Sequence, residues 1–277
     1  MKKILVTTDF SVNSKAGLRF AIKLASQYKC ELTFLHITYI MKPTSWHDKK
    51  FAEYEKTQVE KMLRDLNSLV NSVYKNMKIS PFKKNCIIIN SINVSKSIRH
   101  HALKNNYSFI CLSTRGAGSI KKYFGTNTSN LITFSETPVI AVPENYRSAR
   151  ISNILYASDL SDLEKEIQQV VDFAKPLKAK VELLHLNSPA EIMTDAKIIE
   201  TAVKKFSKYD VKLNLENCSV VGSFISNIET AVSLSKPSML VMFTQKNRTF
   251  FQRLFTPSKT VEYSFNPKVP LMVFVKN

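Results

Sequence analysis

The sequence repeats itself, and the repeat decides what this chain can fold into. Ile4-Leu5-Val6-Thr7-Thr8-Asp9-Phe10-Ser11 returns position for position as Ile154-Leu155-Tyr156-Ala157-Ser158-Asp159-Leu160-Ser161, at an offset of 150 residues with the acid and the serine kept. Leu32 to Ile37 returns as Val181 to Leu186 around a histidine, His36 becoming His185. Near the end, Pro138-Val139-Ile140-Ala141-Val142 returns as Pro270-Leu271-Met272-Val273-Phe274. Similarity at a nearly fixed period marks one domain duplicated in tandem, and 277 residues suffice for two domains of ordinary size. The reading is a first domain over 1–145, a polar connector, and a second over 150–277. By Pro270 the offset has fallen to 132, so the second copy is shorter, chiefly in the region of the first copy's long helix.

Within the first copy, apolar patterning alternates between the two periods of regular structure. Ile4 to Thr8 is a short β-branched run, and Leu18, Ala21, Ile22 and Ala25 then recur at helical spacing between Asn13 and Tyr28. Glu31 to Ile37 reads as a second strand. A strand, helix and strand in close succession imply a parallel crossover unit. After a loop over 39–48, Phe51 to Asn76 is an amphipathic helix with Val59, Met62, Leu63, Leu66, Leu69, Val70 and Val73 along one side, the face expected to cover a sheet. Asn85 to Ile89 is a third strand, Val94 to Lys104 a helix, Phe109 to Ser113 a fourth strand, Ser129 to Phe134 part of a helix beginning after Gly125, and Val139 to Val142 a fifth strand between prolines. The expected fold class is α/β, two tandem Rossmann-like domains each with a five-stranded parallel sheet.

Glycine points to the site. The chain holds only five, and Gly116, Gly118 and Gly125 fall in the one loop that follows the fourth strand. Glycine lets the backbone approach a ligand closely, so a chain this sparing with it has a local use for it there. With Ser113, Arg115, Thr126, Asn127 and Thr128 beside them, and a helix beginning near Thr126, the loop over 113–127 reads as a concave anion site for phosphate. Asp9, at the end of the first strand, reads either as a turn or helix-capping residue or as a ligand contact. The second copy places Thr244 to Ser258 where the glycine loop would be, with Phe250, Phe251 and Phe255 and no glycine, so it is expected to keep the fold and lose the anion site.

Other chemistries find no footing. The formal net charge of +18 is spread over both halves with only paired basic clusters, so it reads as a lysine-rich solvated surface and nucleic acid is not an expected partner. Cys30, Cys86, Cys111 and Cys218 stand singly without ligand spacing, which suits a reducing compartment and no metal. No apolar run reaches the roughly 18 residues of a membrane span. Met1-Lys2-Lys3 precedes an apolar segment too short for a signal peptide, and the expected location is the cytoplasm.

With those residues quoted, the chain resembles a tandem universal stress protein. That family begins with a strand ending in Asp, keeps a histidine at the end of the second strand, and carries a nucleotide loop of the form G-x-x-G-x9-G-[S/T]. Both halves share the likeness, and the first matches at Asp9, His36-Ile37, Gly116, Gly125 and Thr126. It departs at Ser113, which stands for the first loop glycine, and in the eight residues between Gly116 and Gly125. The resemblance implies the adenine nucleotide α-hydrolase-like variety of the fold, with ATP or AMP, with or without Mg2+, in the first domain. Thr8, Asp9 and Ile37 would lie by the adenine; Ser113, Arg115 and Gly116 along ribose and phosphates; Gly125, Thr126 and Asn127 on the phosphates. It also implies last strands paired antiparallel, here Pro138 to Val142 with Leu271 to Val275, making an internal pseudo-dimer that could pair further as a homodimer.

The function so implied is a stress-response regulator or sensor with an unidentified protein partner. Two rivals stay open. One is an enzyme, at most a slow ATPase, since no P-loop lysine follows either glycine and no nucleophile triad can be assembled from the spacing. The other is a nucleotide-free protein-interaction module with both sites decayed.

Overall fold

A computed structural model of the chain describes residues 1–114, 126–158, 160, 162–187, 195–207, 211–217, 224–245 and 268–276. It divides into two units, Met1–Ser148 and Ala149–Asn277.

In the first unit, the β-branched run at the start becomes β1 (Lys3–Thr7), followed by α1 (Lys15–Gln27), β2 (Glu31–Thr38), α2 (Asp48–Met77), β3 (Lys83–Asn90), α3 (Val94–Lys104), β4 (Phe109–Ser113), α4 (Thr126–Phe134) and β5 (Val139–Val142). The strands lie in the order β3-β2-β1-β4-β5. Every pair is parallel, with Val6 opposite Phe34 on one side and Cys111 on the other. Parallel strands buried on both faces need near-continuous apolar sequence, and Ile4, Leu5 and Val6 are accordingly fully buried. Helix α1 packs beside α2, and α3 beside α4. This is the arrangement of right-handed crossovers that leave β1 in opposite directions, so chain order reverses between β1 and β4. At that point the two neighbouring strand ends diverge into helices on opposite faces and leave a crevice.

Helix α2 is longer than its sheet needs. Its 30 residues span about 45 Å at 1.5 Å each, against about 27 Å for an eight-residue strand. Only Leu66, Val70, Val73 and Tyr74, all in its second half, are buried. Val59, Met62, Leu63 and Leu69 are half-buried, so the expected covering stripe covers the sheet only toward its carboxyl end. Lys78 ends the helix in the left-handed conformation, φ 55°, with the Ile79 N–H returning to the Tyr74 carbonyl.

The second unit runs β6 (Asn153–Ser158), α5 (Leu163–Ala174), a 3-10 turn over Lys175–Leu177, β7 (Lys180–Asn187), α6 (Asp195–Phe206), β8 (Val211–Asn217), α7 (Phe224–Ser235), β9 (Met239–Gln245) and β10 (Leu271–Lys276). Its order, β8-β7-β6-β9-β10, is that of the first unit. Helix α6 has 12 residues where α2 has 30, which locates most of the shortening in the expected place.

The duplication reaches into local geometry. Phe10, the third residue after β1, has φ 64°, and its counterpart Leu160 has φ 61°. Asn106 and Lys236, each just before the fourth strand of its unit, repeat the feature at φ 54° and 45°. A left-handed residue other than glycine is uncommon, and its recurrence at two matched places shows that the turns themselves were copied.

Candidate functional site

The carboxyl ends of β1, β2 and β4 meet at the crevice, and the residues there are held by a dense set of short-range hydrogen bonds. Thr8, buried just past β1, donates its N–H to the Leu35 carbonyl at 3.0 Å. Its hydroxyl accepts from the Phe10 N–H at 3.1 Å and lies 2.8 Å from the Ser14 hydroxyl. Ser14 in turn donates to the Ser11 carbonyl at 2.8 Å, so the proton between the two hydroxyls comes from Thr8. The Thr8 carbonyl accepts from His36 Nδ1 at 2.9 Å, which fixes that nitrogen as the protonated one. Phe10 rests its ring edge on His36, centroids 4.6 Å apart.

Asp9 is exposed, and its Oδ1 accepts from both the N–H and the hydroxyl of Ser11, at 3.0 and 2.6 Å. It therefore closes a turn of its own. It does not cap α1: Ser14 stands at that N-cap, without a side-chain capping bond. Ile37 is half-buried in β2 opposite Ile89.

On the other side of the crevice, Ser113 is buried at the end of β4, and its hydroxyl is turned to the Val142 carbonyl of β5 at 3.3 Å. Helix α4 opens with Thr126 and Asn127 exposed and no acid in its first turn. The N–H groups of a first helical turn lack intrahelical acceptors and carry partial positive charge, so this end is suited to an anion. Thr128 ties the turn to the sheet, its hydroxyl shared between the Ser113 and Thr114 carbonyls at 3.3 and 3.5 Å. Ser129 is buried beside it, its hydroxyl with no hydrogen-bond partner among the described residues. Sequence reasoning passed over Ser14 and Ser129 as actors; for Ser129 the unbroken polar run Thr126-Asn127-Thr128-Ser129 was the available signal. Arg115, Gly116, Gly118 and Gly125 lie outside the described residues.

Beneath the loop, β4 and α1 are in close contact. A Cβ at Gly17 would lie 3.0 Å from the Leu112 carbonyl carbon and from the Ser113 nitrogen. Cys111 sits there too, its sulfur 3.6 Å from the Gly17 carbonyl. Full burial pushes its thiol far above the ordinary range, so it is no nucleophile. Among the described residues, no three His, Cys, Asp or Glu side chains are grouped to hold a metal.

The second unit keeps the histidine contact, His185 Nδ1 to the Ser158 carbonyl at 3.1 Å, and the hydroxyl contact, Leu160 N–H to Ser158 Oγ at 3.0 Å. Asp159, Ser161 and the aromatic loop carrying Phe250, Phe251 and Phe255 lie outside the described residues. At its strand ends, however, Tyr156, Phe243 and Phe274 stand where the first unit has Val6, Ser113 and Val142. Phe243 stacks on Phe274 with centroids 5.0 Å apart, and Tyr156 meets Phe243 edge-on at 5.7 Å.

A parallel sheet whose order reverses beside a helix N-terminus defines a Rossmann-like α/β unit, and the chain carries two of that topology in tandem. The model of the universal stress protein family matches residues 1–143, more than half of the chain. The chain belongs to the universal stress protein family. A crystal structure of a universal stress protein from Archaeoglobus fulgidus is similar over 99% of this chain and 98% of its own, with 18% identity and a TM-score of 0.71. A functionally unknown protein from Pseudomonas aeruginosa is similar over 99% of this chain and 92% of its own, with 15% identity and a TM-score of 0.61. At these identities the likeness is one of fold. No curated protein sequence matches. No described helix is long and apolar enough to cross a membrane.

Proposed function

We propose that the first unit binds an adenine nucleotide, ATP or AMP, and that the protein acts as a nucleotide-responsive regulator or sensor in a stress response. The observation that carries this is the exposed, acid-free first turn of α4, with Thr126 and Asn127, at the point where sheet order reverses. The glycine-bearing segment joins β4 to that turn. In this reading Thr8, Asp9 and Ile37 border the base. Ser113 contributes backbone, its hydroxyl being engaged by Val142, while Arg115, Gly116, Gly125, Thr126 and Asn127 hold ribose and phosphates. The second unit, with Phe243 where Ser113 stands, takes no nucleotide.

Thermal unfolding of the full chain with ATP or AMP, each with and without Mg2+, tests it. A ligand at 100 times its dissociation constant stabilises the unit that binds it by about 2.7 kcal/mol. Wild type should show that rise, and Gly116→Val should lose it, because a branched side chain blocks close approach of backbone to phosphate. Equal melting curves with and without nucleotide, and no nucleotide released from the denatured protein, would refute the proposal.

One observation favours the interaction-module reading as a second function. The first half of α2 contains no buried residue, and beside it Trp46 and the exposed Tyr54 make an edge-to-face pair at 5.2 Å. A protein partner held there would be retained by Gly116→Val and lost with Tyr54→Ser.

A further inference from the structure

The turn after the first strand is anchored differently in the two units, and the difference is a matter of where one proton goes. In both, the hydroxyl after or at the strand end accepts from the N–H two residues on, Phe10 to Thr8 and Leu160 to Ser158. In the first unit that hydroxyl passes its own proton to Ser14, and the chain ends locally at the Ser11 carbonyl. In the second unit the partner of the Ser158 hydroxyl is the Tyr156 hydroxyl, at 2.9 Å. Tyr156 also bonds Glu166 Oε2, and Glu166 Oε1 pairs with Lys276 Nζ at 2.7 Å. A phenol has one proton, and a carboxylate can only accept. The order is therefore Leu160 N–H to Ser158, Ser158 to Tyr156, and Tyr156 to Glu166, whose charge is balanced by Lys276.

The far end of this relay is buried, while Ser158 and Leu160 are half-buried. The Lys276 and Glu166 side chains are 5% and 3% exposed and Tyr156 is fully buried. A paired charge in such surroundings keeps its hydrogen bonds in one arrangement, because leaving either partner alone is costly. The matched positions of the first unit carry no such set, Val6, Ala16 and Glu144 standing there. We propose that Tyr156, Glu166 and Lys276 form an internal clamp that fixes the Ser158–Leu160 turn of the second unit to its last strand without any ligand. The corresponding hydroxyl of the first unit is held instead through Ser14 and the Ser11 carbonyl, with no link to its last strand among the described bonds of Thr8. The clamp stands independently of whether the first unit binds nucleotide.

Amide hydrogen exchange on the full chain, resolved at Leu160 and Phe10, tests the proposal. Tyr156→Phe keeps the ring and removes the link. It should speed exchange at Leu160 by about five- to tenfold, the loss expected of one buried hydrogen-bonded link, while Phe10 is unchanged. Lys276→Met should do the same from the far end of the relay. Unchanged exchange at Leu160 in a folded Tyr156→Phe protein would overturn the clamp. If Lys276→Met unfolds the second unit, the paired change Glu166→Leu with Lys276→Met refills the space with apolar groups. The clamp then predicts a folded unit with a fast Leu160 amide, and a slow one would overturn it.

Discussion

Replacing Gly17 by alanine should destabilise the first unit, although the same change in an ordinary helix interior does the opposite. Alanine gains about 1 kcal/mol over glycine inside a helix through backbone entropy. At Gly17 the added methyl would meet the backbone of β4 at 3.0 Å on two atoms and at 3.4 Å on a third. Comfortable contact begins near 3.5 Å. The obstructing atoms cannot step aside, because Leu112 and Ser113 are paired with Ala141 and Val142 in the sheet ladder. Helix α1 must lift by several tenths of an ångström and loosen the packing of Leu18 and Ala21, an overpacking cost of about 1–3 kcal/mol. The net is a loss of about 1 kcal/mol, felt where β4 enters the candidate site. Trp46 is the only tryptophan and lies in the first unit, so its fluorescence during urea unfolding follows that unit. The midpoint should fall in Gly17→Ala, and nucleotide affinity should fall with it. The second unit supplies the contrast: Ile167 occupies the matched position, fully buried, and Ile167→Ala should cost about 2–5 kcal/mol as a cavity. A rise in the Gly17→Ala midpoint would refute the argument from close approach.

Further consequences can be measured directly. Thr128→Val removes the hydroxyl that ties α4 to the end of β4 and should cost about 1 kcal/mol in urea unfolding, with weaker nucleotide binding; equal stability would show the link to be idle. His36→Phe keeps a ring against Phe10 but strips the Thr8 carbonyl of a donor, so a loss of about 1–2 kcal/mol is expected, with His185→Phe doing the same in the second unit. Burial raises the Cys30 thiol to about 11 and the Cys86 and Cys111 thiols above their ordinary range. Residue-resolved mass spectrometry after brief alkylation at pH 8 should find all three unlabelled in the native protein. Rapid labelling of Cys111 would contradict its packing under α1.

Much of the fold could be read from the residues. Helix α3 and strand β4 begin and end where periodicity put them, at Val94–Lys104 and Phe109–Ser113. Edges were less legible. Strand β3 begins at Lys83, two residues before the expected start at Asn85, because Lys83 and Lys84 pair with Glu31 and Leu32 of β2. Backbone pairing of that kind is indifferent to side-chain polarity, so a hydrophobic pattern cannot report it. Strand β8 and helices α5, α6 and α7 were implied only by the duplication. In the candidate site, Asp9, His36 and the hydroxyls near Thr126 stood out by type and place. The role of Gly17 did not, since its constraint comes from a strand 94 residues away.

The sequence by itself settled that one α/β domain occurs twice and where each loop departs from its strand, because period, punctuation and internal repetition are properties of neighbours along the chain. Only the tertiary structure decided how the two copies differ inside. Helix α1 lies close on β4 through Gly17; rings stack at the second unit's strand ends; one hydroxyl proton runs to a loop carbonyl in the first unit and toward a buried ion pair in the second. Those outcomes depend on distances between residues far apart in sequence, and such distances are set by packing.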